Sequence, residues 1–434
     1  MSKVLGIIAE YNPFHNGHLY HLQKSKELTN ADYTIAIISG NFTQRGSTSV
    51  IDKWAKTQMA LNNGIDLVIE LPVLYSISSA ENFADGAIKI LSSLGIVNYL
   101  SFGAETSDIN LLKCISNILC DEPKEFKTLL SNELKSGLSF PKAREHALIK
   151  YFELKSNIIS SKLENNISQS TIRNILASPN NILGIEYLKA LHKYNSSIKP
   201  VCISRYEADY NSTTITDNIA SATAIRNLIL SKDYNTIKNL IPTSSYSTLI
   251  NCLNEGHIVP SLSCFEKEII YVLRKMDIEE IANLPDVSEG LEYTIKKAAN
   301  SCNNLSEVIN LIKSKRYTST RIQRILLYAL LGITKDDMEM SKNVLPYVRV
   351  LGFNENGKFL LSEISAKNPD IALITSVKKF VDSNSDKVLL NMFDKDVFAT
   401  DVYSIAFDNN SFGNLDFTTG MVKKFNKSKK IFNA

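Results

Sequence analysis

Four short, mainly apolar runs, at 4–9, 33–38, 65–70 and 97–102, are separated by amphipathic stretches at about 17–29, 52–63 and 80–94. A strand that is apolar at every position must be covered on both faces, and a helix between two such strands returns the chain to the same end of the sheet. The alternation therefore predicts an α/β, Rossmann-like parallel sheet with right-handed crossovers and helices on both sides. Ligands in such sheets bind beyond the carboxyl ends of the strands, so chemistry is expected just after each apolar run. Pro72 stops the third run.

From 105 to 195 the pattern is mainly helical, with a helical insertion at about 105–178 and a polar exposed loop at 156–169. The run 200–204 is expected to rejoin the sheet as a further strand. At 434 residues the chain exceeds what one core usually organises. Pro242 and the hydroxyl residues to Ser247 interrupt both periodicities, which suggests a hinge and two domains, 1–242 catalytic and 243–434 mainly α-helical. Helical periodicity then continues to about 380, with no internal repeat.

Apolar residues at 44% and charged residues at 21% are those of an ordinary globular protein. The run 4–9 is too short for a signal peptide, and no run approaches the roughly 18 apolar residues of a membrane span, so a cytoplasmic protein without a membrane partner is expected. The six cysteines show no zinc-site spacing and are expected as buried thiols, with no metal site. A net charge of +3 says nothing about nucleic acid by itself, so any such signal must be local.

Three of the six histidines, His15, His18 and His21, fall within seven residues at the junction of the first strand and the first helix. They could form a surface patch or a metal site. Residues three apart on a helix are about 60° out of register, so three rings fan too widely for one ion, and no nearby Asp, Glu or Cys completes a ligand set. Phosphate binding fits each position better. Asn12-Pro13 makes a turn, Gly17 allows the backbone to approach a ligand, and the helix amino terminus offers unpaired N–H groups with about half a positive charge. His15 and His18 would donate hydrogen bonds as charge builds on an attacked α-phosphate. Neither a G-x-G-x-x-G nor a G-x-x-x-x-G-K-[ST] motif is present, which weakens dehydrogenase and P-loop alternatives.

Gly6-Ile7-Ile8-Ala9-Glu10-Tyr11-Asn12-Pro13-Phe14-His15-Asn16-Gly17-His18, Ser39 to Gly46, Phe102-Gly103-Ala104-Glu105 and Ser178 to Gly184 together resemble the bacterial tRNA(Met) cytidine acetate ligase family of the HIGH-type nucleotidyltransferase superfamily. The resemblance implies that acetate attacks the α-phosphate of ATP to give acetyl-adenylate. The acetyl group then passes to N4 of the wobble cytidine of elongator tRNA(Met), giving N4-acetylcytidine. It also implies an ATP site made of Ile7, Ile8, Ala9, Glu10, Tyr11, Asn12, Pro13, Phe14, His15, Asn16, Gly17, His18, Leu19 and Tyr20, with Gly103, Asn180 and Arg205. Gly103 and Arg205 each end an expected strand, so they would sit at the catalytic edge, though a turn glycine and a surface ion pair are equally simple explanations. Magnesium on the phosphates is expected from the chemistry.

The superfamily's second signature, a Ser/Thr-rich turn with Ile-Arg opening a helix, has two candidates, 168–173 and 221–226. Its expected place after the last strand selects the second, with Ser221 as cap and Thr223 and Arg226 toward phosphate, although Ala222 stands where a hydroxyl is common. Gln44-Arg45 follows the second strand, and Arg45 is a candidate for phosphate or tRNA. A basic stretch of Lys313, Lys315, Arg316, Arg321 and Arg324, with Tyr317 inside it and no acid, suits RNA, as does the tail Lys423, Lys424, Phe425, Lys427, Lys429 and Lys430. A solvated helix face and a frayed tail are the plain alternatives. A small-molecule adenylyltransferase of the same fold and a non-catalytic RNA-binding protein are the rival functions.

Overall fold

A computed structural model describes residues 2–138, 140–155, 167–204, 219–314, 316–409 and 412–425. Five parallel strands form the heart of the sheet: β1 (Val4–Ala9), β2 (Tyr33–Ser39), β3 (Leu67–Leu71), β4 (Tyr99–Ala104) and β5 (Lys199–Ser204), in the order β5-β4-β1-β2-β3. The register places Gly6 between Ile35 of β2 and Leu100 of β4. The expected strands and crossover helices are all present, each within a few residues of its expected ends.

Alternation along the strands divides their side chains between two apolar layers. Val4, Ile8, Ile35, Ile37, Leu67 and Ile69 face one, whereas Leu5, Ile7, Ala36, Ile38 and Val68 face the other. The second layer is closed by α1 (Asn16–Thr29), α2 (Lys53–Asn62) and α5 (Ala222–Leu230), through residues such as Leu22, Met59 and Ile225. The first is closed by α3 (Ala80–Ser93) and α4 (Pro179–Lys193), and by α6 (Ser319–Leu331) and α7 (Lys387–Ser404) from the carboxyl-terminal half. Burial on both faces is what the mainly apolar runs required.

The expected division at 242 separates neither the sheet nor the core. Strand β6 (Val348–Asn354) pairs antiparallel with β3, and β7 (Leu373–Ile374) and β8 (Val422–Lys424) pair parallel with β6, so the mainly helical second half supplies one edge of the same sheet. Phe265, Tyr328 and Tyr403 lie in one continuous apolar cluster with Phe42 and Tyr75. The expected hinge is the first turn of a helix, Thr243–Asn254, because Pro242 at its amino-terminal cap lacks only an N–H that the first turn leaves unused. β6 is hard to see in sequence because Arg349 interrupts its apolar run. Arg349 is nevertheless buried, bonded to Asp416 and Glu70, with Lys53 joining the same two carboxylates. Nor is the start of the tail frayed: Lys423 and Lys424 belong to β8, and Lys424 Nζ donates to Leu61 O at 3.0 Å. Lys427, Lys429 and Lys430, and most of the polar loop at 156–169, lie outside the described residues. No described helix is long and apolar enough to cross a membrane.

Candidate active site

The carboxyl ends of β1, β4 and β5 open on a cleft of about 230 Å³ bounded by α1, α4 and the start of α5. From the 7–20 stretch, Ile7 to Asn12, His15, Gly17, His18 and Tyr20 line it, while Pro13, Phe14, Asn16 and Leu19 do not. Phe14 is fully buried and packs behind the turn, its ring tilted against those of Tyr11 and His18 with centroids 4.8 and 5.6 Å away. Asn16 Nδ2 donates to Asn239 O at 3.0 Å.

The turn determines which nitrogen of each histidine carries the proton. His15 caps α1, and the Gly17 N–H donates to its Nδ1 at 3.1 Å; the His15 N–H in turn donates to His18 Nδ1 at 3.3 Å. A nitrogen that accepts is unprotonated, so in the neutral rings the proton of both histidines is on Nε2. The two rings stack with centroids 3.7 Å apart, presenting two Nε2–H donors at a helix amino terminus. Gly17 has a second role besides ligand approach: a Cβ there would lie 2.9 Å from His15 Cε1 and 3.0 Å from Nδ1, pushing the ring off its bond.

The loop after β2 is braced against this turn. The Asn12 side chain donates to Thr48 O at 3.0 Å and accepts from Val50 N at 2.8 Å, and Glu10 Oε1 accepts from Gln44 N at 2.8 Å. Lys56 is fully buried beneath both, its amine donating to the carbonyls of Ser39 and Gly40 at 2.7 and 2.6 Å and to that of Glu10 at 3.1 Å. Burial lowers its pKa to about 8. Gln44 and Arg45 consequently line the cleft. Gly46 adopts a φ of +74°, and a Cβ there would lie 2.5 Å from Arg324 N, so the loop rests directly on α6.

Across the cleft, Ser221 caps α5 by accepting from Ala224 N at 3.1 Å, and Ala222, Thr223 and Arg226 line the opening. Arg226 bonds Thr223 Oγ1 at 3.0 Å and Asn12 O at 3.1 Å, tying α5 to the histidine turn. The rival 168–173 segment also caps a helix, but Arg173 is exposed and faces Glu145. Gly103 and Asn180 line the cleft at the β4 edge. Asn180 rather than buried Asn181 faces it, because Glu105 accepts from the Asn180 side chain at 2.7 Å and from the Asn181 backbone at 2.8 Å. Arg205 lies outside the described residues, although its neighbour Ser204 lines the cleft. The apolar wall, Phe83, Phe102, Leu183 and Tyr187, was not foreseen, because two helices far apart in the chain and a strand contribute to it. His21 also lines the cleft, and its spacing after His18 was the available signal.

The basic stretch behaves differently. Its missing acids come from a distant turn: Arg316 pairs with Glu289, Arg321 donates to Asp286 O at 3.0 and 2.6 Å, and the largely buried Arg324 holds Asp286 Oδ2 at 2.8 Å. Arg321 also lies over the Tyr317 ring, 4.8 Å from its centroid. Lys313 and Arg316 stay exposed, and Lys315 lies outside the described residues. The cysteines are only partly as expected: Cys252 and Cys302 are buried, but Cys264 is exposed. Cys120, Asp121 and His192 come together at the surface, with His192 Nδ1 3.2 Å from Cys120 Sγ and Nε2 3.7 Å from Asp121.

Two helix amino termini, paired imidazole N–H donors and an arginine at the carboxyl edge of a parallel sheet define a nucleotidyl-transfer site, and the chain belongs to the HIGH nucleotidyl transferase family, whose model matches residues 2–416. Among its relatives, the tRNA(Met) cytidine acetate ligase of Thermoanaerobacter sp. (strain X514) is 47% identical, over 97% of this chain and 99% of that one. The protein of the same name from Acetivibrio thermocellus is 43% identical over 94% of this chain and 96% of its own. The crystal structure of Thermotoga maritima TmcAL superposes with a TM-score of 0.92 at 35% identity, covering 98% of this chain and all of that one. The same protein bound with alpha-thio ATP gives 0.90 at 34% identity over 98% of this chain.

Proposed function

We propose that this chain is an ATP-dependent tRNA(Met) cytidine acetate ligase, activating acetate as acetyl-adenylate and transferring the acetyl group to N4 of the wobble cytidine of elongator tRNA(Met). The observation that carries the reading is the pair of Nε2–H donors on His15 and His18, set at the amino terminus of α1 and opposite Arg226. In the first step an acetate oxygen bonds to the α-phosphorus and the bond to pyrophosphate breaks. Negative charge builds on the phosphate oxygens, where preorganised N–H donors and helix termini stabilise it without rearranging. In the second step the cytidine N4 attacks the acetyl carbonyl, AMP leaves, and N4 gives up a proton.

Asn180 and Gly103 border the same cleft and are assigned to the nucleotide, with Arg205 following from family resemblance. Glu10 is the one carboxylate among the described lining residues, and its Oε1 already accepts from Gln44 N. Such a donor set suits a magnesium ion held mainly by the phosphates, where it would neutralise charge on the leaving pyrophosphate. For the tRNA, Arg45 at the cleft and exposed Lys313 and Arg316 are the cations we assign to phosphate contact; Arg321 and Arg324 are engaged within the fold.

The test is acetate-dependent exchange of pyrophosphate into ATP, followed by nucleoside mass spectrometry of methionine tRNA. Exchange that needs acetate, with N4-acetylcytidine in the tRNA, is the expected result. Exchange independent of acetate, or no acetylated nucleoside, overturns the reading.

A further inference from the structure

The apolar wall of the cleft, Phe83, Phe102, Leu183 and Tyr187, carries a single polar side-chain atom, the Tyr187 hydroxyl. Tyr187 on α4 is only 2% exposed, and its ring packs against Phe102 of β4 with centroids 5.7 Å apart. A Cβ on Gly184 would come within 2.7 Å of Phe102 Cε2, so α4 sits directly on β4 and the wall is held in place. Among the described residues the Tyr187 hydroxyl has no hydrogen-bond partner. Nor is it one of the polar atoms sealed from solvent without a partner, so the little surface that Tyr187 keeps includes that oxygen. Burial, with the Glu10 carboxylate adding to it, holds the phenol well above its usual range, so the hydroxyl keeps its proton and is a donor.

The wall and the histidine turn stand on opposite faces of the sheet. Phe83, Phe102 and Tyr187 belong to the layer closed by α3 and α4, with Leu183 packed against it, whereas Tyr11 and Phe14 belong to the layer closed by α1 and α5. Attacking and leaving oxygens lie roughly in line at a phosphorus undergoing substitution. With pyrophosphate drawn to the amino terminus of α5 and Arg226, the nucleophile enters from the side of the wall. Resting on the ligase reading above, we infer that this wall is the acetate seat, where the Tyr187 O–H donates to an acetate oxygen and Phe83, Phe102 and Leu183 receive the methyl group. The edge of adenine would leave its amino group and ring nitrogens unpaired against such a wall, whereas a methyl group asks only for carbon contact. Arg45 and Arg226 line the same cleft against Glu10, the one carboxylate among the described lining residues, which favours an anion there.

The experiment measures pyrophosphate exchange in wild type, Tyr187→Phe and Leu183→Ala, with acetate and with propionate. Tyr187→Phe keeps the ring and removes a hydroxyl that bonds nothing within the described fold. One hydrogen bond to a carboxylate predicts that it raises the KM for acetate by about five- to hundredfold and leaves the KM for ATP within about twofold of wild type. A smaller rise for acetate, or an equal rise for ATP, overturns the inference. Leu183→Ala enlarges the wall by more than a methyl group. It should raise kcat/KM for propionate relative to acetate by about tenfold, the scale of one methylene in an apolar pocket, and an unchanged ratio overturns the placement of the methyl group. Failure of the ligase reading shows separately: wild-type exchange that does not need acetate would strike that reading, and this inference with it.

Discussion

The histidine turn and the basic stretch at 313–324 are both dense clusters of proton donors in sequence, yet their donors point to different destinations. At the turn, backbone N–H groups donate to Nδ1 of His15 and His18, so the donor of each neutral ring is Nε2–H, and both rings line a cleft. In the stretch, Asp286 and its neighbours draw Arg321 and Arg324 inward. A dense run of donors in sequence does not say where they point, because a counterpart such as Asp286 can come from anywhere in the chain.

The largest effect should follow from removing a donor at the turn. His18→Ala is expected to lower acetate-dependent pyrophosphate exchange by about 10²- to 10³-fold, as for loss of one preorganised donor to developing charge. Exchange within tenfold of wild type would remove the distinction between the two regions. Asp286→Ala should act on stability instead, costing about 3–4 kcal/mol in urea unfolding, because it strands the guanidinium of Arg324, whose side chain is only 11% exposed. A loss below about 1 kcal/mol would show that Arg324 is not held as an internal pair.

Lys56 sharpens the contrast, being an inward cation directly beneath the site. Its pKa is lowered by burial from 10.5 to about 8. Below pH 8 the amine is charged whether the chain is folded or not, and burying it is unfavourable; above 10.5 it is neutral in both states. Wild-type stability relative to Lys56→Met should therefore rise as pH climbs from 8 to 10.5, by about 3 kcal/mol. A flat difference across that range would refute the assignment. The smallest effect belongs to Arg316, whose pair with Glu289 is solvent-exposed. Arg316→Ala should leave unfolding within about 0.5 kcal/mol of wild type and, if the guanidinium meets a tRNA phosphate, reduce the slope of log affinity against log salt by about one.

Much of the catalytic half could be inferred from residue order because parallel α/β units are locally encoded: apolar run, amphipathic helix, apolar run. The position of 221–226 after the last strand was enough to choose it over 168–173, since the edge of a parallel sheet gathers whatever follows its strands. The carboxyl-terminal strands escaped because β6 carries Arg349, whose charge makes sense in a buried strand only with Asp416 and Glu70 beside it. The apolar wall escaped because Phe83, Phe102, Leu183 and Tyr187 are distributed over one hundred residues and share no local pattern.

By itself the sequence determined the parallel sheet, the histidine turn at its first crossover and the family resemblance, all of which depend on neighbours a few residues apart. Only the tertiary structure decided which cations face outward and that one core runs through the supposed boundary at 242. Those outcomes depend on partners tens to hundreds of residues away, and the identity of a hydrogen-bond partner, unlike periodicity, leaves no trace in local order.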